Sequence, residues 1–276
     1  MSSTEFDLVI EAGRAERHYW RDIWRYRELF YFLAWRDILV RYKQTVIGVM
    51  WAVIRPVVTM IVFTVVFGKL AKLPGGGAPY PILVFAALLP WQFFSSALSE
   101  SSNSLVSNSN LLSKVYFPRL IVPASTAIVC LADLLISFVV LAGLMVWYKF
   151  APGWQMLALP AFCLVAGCVS VGAGLWFASL NVKYRDFRYI VPFLVQFGLY
   201  LSPVGFDSAV VPAKWRFIYS LNPMVGVIDG FRWAIIGDAR FVYLPGMFVS
   251  VVVAVLLIIS GVWYFRRTER TFADVI

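Results

Sequence analysis

Six stretches of the chain run apolar with few polar interruptions, at about 46–68, 82–98, 120–148, 157–180, 189–206 and 243–265. A helix crosses the hydrocarbon core of a bilayer with about 20 mostly apolar residues, so each stretch is predicted to be a membrane span. The connections carry turn chemistry: Gly75-Gly76-Gly77 after the first span and Ala151-Pro152-Gly153 between the third and fourth. A basic loop with Lys183, Arg185, Asp186 and Arg188 leads into the fifth. Ahead of the first span, residues 18–45 follow another pattern. Trp20, Ile23, Trp24, Tyr31, Ala34, Trp35, Ile38 and Tyr42 share one side of a helical wheel, with Asp22, Arg25, Arg36 and Lys43 toward the other. This predicts an amphipathic helix lying in the headgroup region, with Arg27 snorkelling from its apolar side. A soluble helix packed on a partner is the alternative.

Two further segments are only partly apolar. Residues 95–113, SSALSESSNSLVSNSNLLS, repeat Leu98, Leu105 and Leu112 every seven positions, with Val106 and Leu111 beside them. The spacing predicts a polar helix with one apolar seam, extending from the second span to Lys114 and occupying about 99–117; a solvated linker is the competing reading. Residues 212–238 hold two short apolar pieces split by Asn222-Pro223, the second ending at Gly237. Neither is long enough to span, and together they predict a re-entrant hairpin or a pair of interfacial helices. The expected fold is thus an all-α integral membrane protein. It has six transmembrane helices, an N-terminal amphipathic interface helix and an outer re-entrant hairpin between the fifth and sixth spans.

Composition agrees. Of 276 residues, 61 % are hydrophobic and 14 % charged, whereas soluble domains run near about 45–50 % and 25 %. The three cysteines, Cys130, Cys163 and Cys168, lie inside apolar runs, and His18 is the only histidine. Neither a disulfide framework nor a metal site has the residues it needs. No GxxxxGK[ST] loop is present, so the usual phosphate cradle for ATP is missing and any ATP-driven work needs a separate motor. The tail 1–17 carries Glu5, Asp7, Glu11 and Glu16 and no apolar core, unlike a cleavable signal peptide. The net charge of +9 is distributed unevenly. Six spans put both termini on one face, which carries 16 Lys and Arg, against seven opposite, with Arg55 inside the first span. The positive-inside rule then places both termini, including the tail 266–276, in the cytoplasm.

Within the spans, Ala166, Ser170, Gly174 and Ala178 repeat every four residues, a face on which another helix packs closely. Phe193, Gln196, Phe197 and Tyr200 share a face of the fifth span, and Thr59, Phe63 and Phe67 one of the first. Trp91, Phe93 and Phe94 flank Gln92 in the second. Aromatic faces with polar neighbours suit the C–H faces of sugar rings, although aromatics in membrane helices serve mostly in packing. Asp133 and Arg55 are charges at membrane depth that need a partner or a hydrated path, and could pair with each other. Asp229 and Arg232, at i and i+3, could also pair.

The order of these features resembles the membrane subunit of ABC-2 type exporters, in the polysaccharide branch that exports lipid-linked O-antigen, teichoic acid or capsule. The stretches RDILVRYKQTVIGVMWAVIRP (36–56), LLPWQFFSSALSESSNSLVSNSNLLSKVYFPRLIVP (88–123), NVKYRDFRYIVPFLVQFGLYLSPV (181–204) and NPMVGVIDGFRWAIIG (222–237) carry the likeness. With the shared topology, it extends over nearly all of the chain from residue 18, with a transmembrane domain over 46–265. The O-antigen permeases are the nearest pattern. Arg55 departs from it, standing before the proline where a neutral residue is expected.

The resemblance implies a homodimer in the bacterial inner membrane, paired with two copies of a separate ATPase that binds ATP and Mg. This chain would have no cofactor, metal or catalytic residue, and nucleic acid would not be a partner. Arg25, Arg36, Arg41, Asn108, Asn110, Lys114, Arg185 and Asp186 would face the ATPase. The helix over 99–117 would act as a coupling or gate helix. The aromatic faces of the first, second and fifth spans would line a channel at the dimer interface. Asn222, Pro223, Asp229 and Arg232 would belong to a periplasmic gate. Lipid-linked polysaccharide would pass from cytoplasm to periplasm. An ABC-2 exporter of a drug or small lipid, or of teichoic acid or capsule polymer, is the alternative. A membrane-embedded acyl- or glycosyltransferase lacks the His or carboxylate cluster it would need, and a secondary transporter the internal repeats.

Overall fold

The computed structural model describes residues 19–43, 48–72, 77–115 and 117–272. The tail 1–17, His18, the ends of the predicted amphipathic helix and first span at 44–47, Gly75 and Gly76, and residues 273–276 lie outside them. Every regular element among the described residues is helical. In chain order these are α1 (Tyr19–Arg25), α2 (Arg27–Lys43), α3 (Gly48–Phe63, widening into a π-helical turn over Thr64–Leu70), α4 (Tyr80–Ser107) and α5 (Ser109–Lys114). There follow α6 (Ile121–Trp147), α7 (Leu159–Lys183), α8 (Phe187–Leu201), α9 (Ala213–Tyr219), α10 (Pro223–Ile236) and α11 (Leu244–Thr268).

Helix starts follow from proline placement. Pro81, Pro160, Pro223 and Pro245 occupy the first or second position of α4, α7, α10 and α11, where a missing N–H costs nothing. Asn222 caps α10 by accepting the Met224 N–H, and Gly237 ends it in the left-handed region, φ +80°. Pro56, Pro90 and Pro192 sit inside α3, α4 and α8, which membrane helices tolerate when neighbours take up the freed carbonyls.

Among the described residues, five helices are long and apolar enough to cross a membrane: Met50–Leu70, Tyr80–Ser107, Ile121–Trp147, Trp154–Lys183 and Leu244–Thr268. The expected fifth span, 189–206, is instead the 15-residue α8. At 1.5 Å per residue it is about 22 Å long, because Ser202 turns extended and ends the helix.

α4 forms the axis of the bundle. Each residue from Ile82 to Leu89 is at most 2 % exposed, consistent with its apolar character on every side. α6, α7 and α10 pack around it. The face of α7 made by Ala166, Ser170, Gly174 and Ala178 is fully buried; a Cβ on Gly174 would lie 2.5 Å from the Ser101 hydroxyl of α4. A second close approach was not read from the pattern. Gly172 meets the α11 backbone, where an added Cβ would come within 2.6 Å of Leu257 and Ile258, and Gly261 meets the Gly172 carbonyl in return.

The predicted helix over 99–117 is divided differently. α4 continues without a break to Ser107, and only Ser109–Lys114 forms a separate turn. The polar residues permit this because their side chains bond back to their own helix: Ser102 Oγ to the Ser99 carbonyl, Ser104 Oγ to Ser101, Asn108 Nδ2 to Ser104. Asn181 of α7 donates across to the Ser102 carbonyl and to Asn103 Oδ1. Leu105 and Leu112 join Leu33, Ile121, Val182 and Phe265 in a second core. It gathers α2, α5 and the ends of α4, α6, α7 and α11 at what is here the basic end of the bundle.

The predicted single amphipathic helix is broken into α1 and α2 at Tyr26. Leu33 and Ala34 are buried on the bundle, whereas Trp20, Trp24, Tyr31 and Trp35 face outward. α2 thus lies along α6 with its aromatic side away from the protein.

Candidate functional site

α8 carries a largely exposed apolar surface. Only Val191 is buried in it, while Phe193, Phe197 and Tyr200 are each more than half exposed and Gln196 is exposed beside them. Phe193 and Phe197 stack obliquely with centroids 4.4 Å apart. α8 leans on α4 through a close contact: a Cβ on Gly198 would reach 2.7 Å from the Trp91 ring. The residues expected beside this face divide. Trp91 and Phe93 are buried and Phe94 is half-buried, with Trp91 and Phe94 5.4 Å apart. Phe63 and Phe67 pack 5.4 Å apart against Gly205, just beyond α8. Thr59 donates to its own helix, at the Arg55 carbonyl, 2.8 Å away. The structure thus brings Trp91 to α8 and Phe63 and Phe67 to the turn just after it, but turns Phe93 toward Gly167 of α7, so the expected aromatics do not form one surface.

A charged network joins α2 to the bundle. Arg41 donates to Asp133 of α6 at 2.6 Å and also pairs with Glu100 of α4; Tyr42 hydrogen-bonds the other oxygen of Asp133. The Asp133–Arg55 pair considered from the sequence does not form. Asp133 is taken by α2, and Arg55 stands exposed on the wall of the same cavity, of about 420 Å³, that Arg41, Glu100 and Asp133 line. Burial and the Asp133 carboxylate push the Tyr42 phenol upward, so it remains a donor. Glu100 was missed; its signal was being the one carboxylate in the Ser/Asn-rich stretch.

Nearer the basic end, Arg36 donates to Asn108 at 3.0 Å and pairs with Asp37. Arg25, Asn110, Lys114, Arg185 and Asp186 are exposed there. Arg185 lines a recess with Val106, Ser109, Asn181, Arg188 and Tyr189. Tyr19 of α1 donates to Glu269 at 3.1 Å, just past α11, and burial pushes both the phenol and the carboxyl upward.

At the opposite end, α10 is inserted among the helices. Phe231 stacks on Phe138 of α6, Trp233 meets Phe162 of α7 edge-on, and the Gly226 N–H donates to Ser250 of α11. Arg232 is completely buried, yet its guanidinium does not close the expected i,i+3 pair with Asp229. It donates to three carbonyls: Phe206 at 2.7 Å, Val204 at 2.9 Å and Leu83 at 3.3 Å. The Val204 and Phe206 carbonyls lie past the end of α8, outside any helix, and the Leu83 carbonyl accepts from Arg232 in addition to its place in α4; together they hold the guanidinium in place of a carboxylate one turn away. Asp229 is buried, with Oδ1 lacking a hydrogen-bond partner among the described residues. Asn222 ties the start of α10 to Ser202 through its amide, 3.0 Å.

Among the described residues the arrangement offers surfaces: an aromatic face, a charged hinge under α2 and an inserted cap. Residues 28–236 match the ABC-2 type transporter family. The chain is 25 % identical to "O-antigen export system permease protein RfbA" of Myxococcus xanthus, over 93 % of this chain and 98 % of that one. It is 23 % identical to the protein of the same name from Klebsiella pneumoniae, over 90 % and 95 %. "Polysialic acid transport protein KpsM" of Escherichia coli is 21 % identical over 72 % and 78 %.

Proposed function

From its membership of the ABC-2 type transporter family, to which the chain belongs, we propose that this protein is the channel-forming membrane subunit of an ATP-driven exporter of a lipid-linked, O-antigen-like polysaccharide. The observation that carries the reading is the open aromatic face of α8, in a chain whose nearly full-length relatives are named for O-antigen export. Phe193, Phe197 and Tyr200 offer flat apolar surfaces to sugar rings, and Gln196 offers hydrogen bonds. A homodimer brings two such faces toward each other and closes a path that one chain leaves open. The KpsM likeness supports a polymer rather than a drug or small lipid as cargo.

In this reading α8 is a sixth, short span, and the α9–α10 hairpin enters from the periplasmic side to make up the missing depth. The burial of α10 between α4, α6, α7 and α11 supports that insertion. Both termini then lie in the cytoplasm of a bacterial inner-membrane protein, and the cargo moves from cytoplasm to periplasm. Two copies of a separate ATPase, which hold ATP and Mg, dock on the basic end. Arg25, Asn110, Lys114, Arg185 and Asp186 are exposed to receive them, and Arg36 and Arg41 pass their motion to α4 and α6. α2 serves as the interface helix and the α4 extension with α5 as the coupling helix. Asn222, Pro223, Asp229 and Arg232 belong to the periplasmic gate.

The test is purification of the tagged chain from its native membrane in mild detergent, with mass spectrometry of what accompanies it. A stoichiometric ATPase with a lipid-linked polymer is expected. An intact, well-populated preparation without an ATPase would refute the proposal.

A further inference from the structure

An open groove of about 850 Å³ lies between Trp20 of α1 and the last turns of α11. Its lining is graded along the helix. Ile258, Ile259 and Val262 come first, then Trp263, then Arg266, Arg267 and Arg270. Ile259, Trp263 and Arg267 follow one another at four-residue steps, so the apolar floor and the cationic rim stand about 12 Å apart on one face. Among the described residues no acidic side chain lines the groove; Glu269, behind the rim, accepts the Tyr19 hydroxyl and interacts electrostatically with Arg266 and Arg270. Arg266 lies over the Tyr19 ring at 4.5 Å and Arg267 over Trp263 at 5.6 Å. Trp20 and Trp263 are both more than half exposed.

We propose that this groove binds an anionic phospholipid, with its phosphate among Arg266, Arg267 and Arg270 and an acyl chain along Ile258, Ile259 and Val262. The grading is that of a phospholipid itself: hydrocarbon, then the interfacial level that Trp favours, then phosphate. The floor continues into Val251, Val255 and Leu256, exposed on the membrane-crossing part of α11, so a lipid enters sideways without leaving the bilayer. A soluble anion would leave that floor unused. None of the aromatic residues assigned to the export path lines the groove, which separates this lipid from the exported one. Because one wall is α1 and the other α11, the bound lipid fastens the N-terminal helix to the end of the last span.

The full-length chain is delipidated in mild detergent and supplied with phosphatidylglycerol or phosphatidylcholine, and native mass spectrometry reads the lipid retained. Selective retention of phosphatidylglycerol is expected. The pair Arg267→Gln and Arg270→Gln is expected to lower it roughly tenfold or more, given the attraction of each arginine for anionic headgroups. The corresponding lysine pair retains most of it. Lys183→Gln with Arg188→Gln removes the same charge from the neighbouring loop and leaves retention unchanged. If the double glutamine variant does not fold, Arg267→Gln alone, at an exposed position, lowers retention several-fold on the same physical ground. Equal retention of phosphatidylcholine, an equal loss in the loop variant, or displacement of phosphatidylglycerol by an equimolar polyprenyl diphosphate would each overturn the proposal.

Discussion

Arg232 shows how much one side chain can hold. Its guanidinium is fully buried and spans the end of α8, the start of α4 and α10 through three carbonyls. Arg232→Ala takes the partner from the Val204 and Phe206 carbonyls and opens a cavity, and is expected to destabilise the protein by about 3–5 kcal/mol. Arg232→Lys keeps the charge but cannot fork to three acceptors, so it recovers only part of the loss. Yield and thermal unfolding of the detergent-solubilised variants measure both. The Arg41–Asp133 pair, partly exposed on both sides, is worth less. Arg41→Ala or Asp133→Asn should each cost about 1–2 kcal/mol, and the double variant less than the sum of the two, as a double-mutant cycle reads it. Neither interaction follows from its own residue's neighbours in the chain: Asp133 lies 92 positions from Arg41, and Arg232 prefers distant carbonyls to nearby Asp229.

At the level of elements, small residues decide which helices touch. The four-residue repeat on α7 was legible because it marks one face. Gly172, on another face of the same helix, meets α11 and belongs to no such repeat. Gly172→Ala therefore forces α7 and α11 apart and should cost about 1–3 kcal/mol, with a lower unfolding temperature, whereas alanine at Gly143, with open space around it, should change little. α8 makes the opposite case. Phe197→Ala and Tyr200→Ala remove exposed rings that hold no core together, so unfolding temperature should barely move while polysaccharide export in cells falls. Export unchanged at normal membrane abundance would remove α8 from the path. The polar run after the second span was legible as a helix from its leucine spacing. That it continues α4 depended on Ser and Asn side chains bonding to carbonyls three and four residues back.

For the whole molecule, the parity of spans is the quantity to measure. If α8 crosses with the help of the inserted hairpin, the chain ends on the side where it begins. Single cysteines introduced at Lys149 and at Arg267 should then react with a membrane-impermeant maleimide from opposite sides, Lys149 from the periplasm. Labelling of both from one side would remove the six-span topology. The sequence-derived count of six and the five helices of full spanning length differ at α8 alone.

The sequence by itself determined that this is a helical membrane protein, since apolar runs and an uneven distribution of Lys and Arg are local properties that the bilayer reads directly. It also carried the family likeness, the exposed aromatic face of α8 and the packing face of α7. Tertiary structure alone decided which charges meet, which end of α8 is closed by Arg232, that α10 is buried, and that Trp20 faces the arginines of α11. A charge at low dielectric takes whichever unpaired partner the fold brings within reach, and that partner is set by helix packing rather than by distance along the chain.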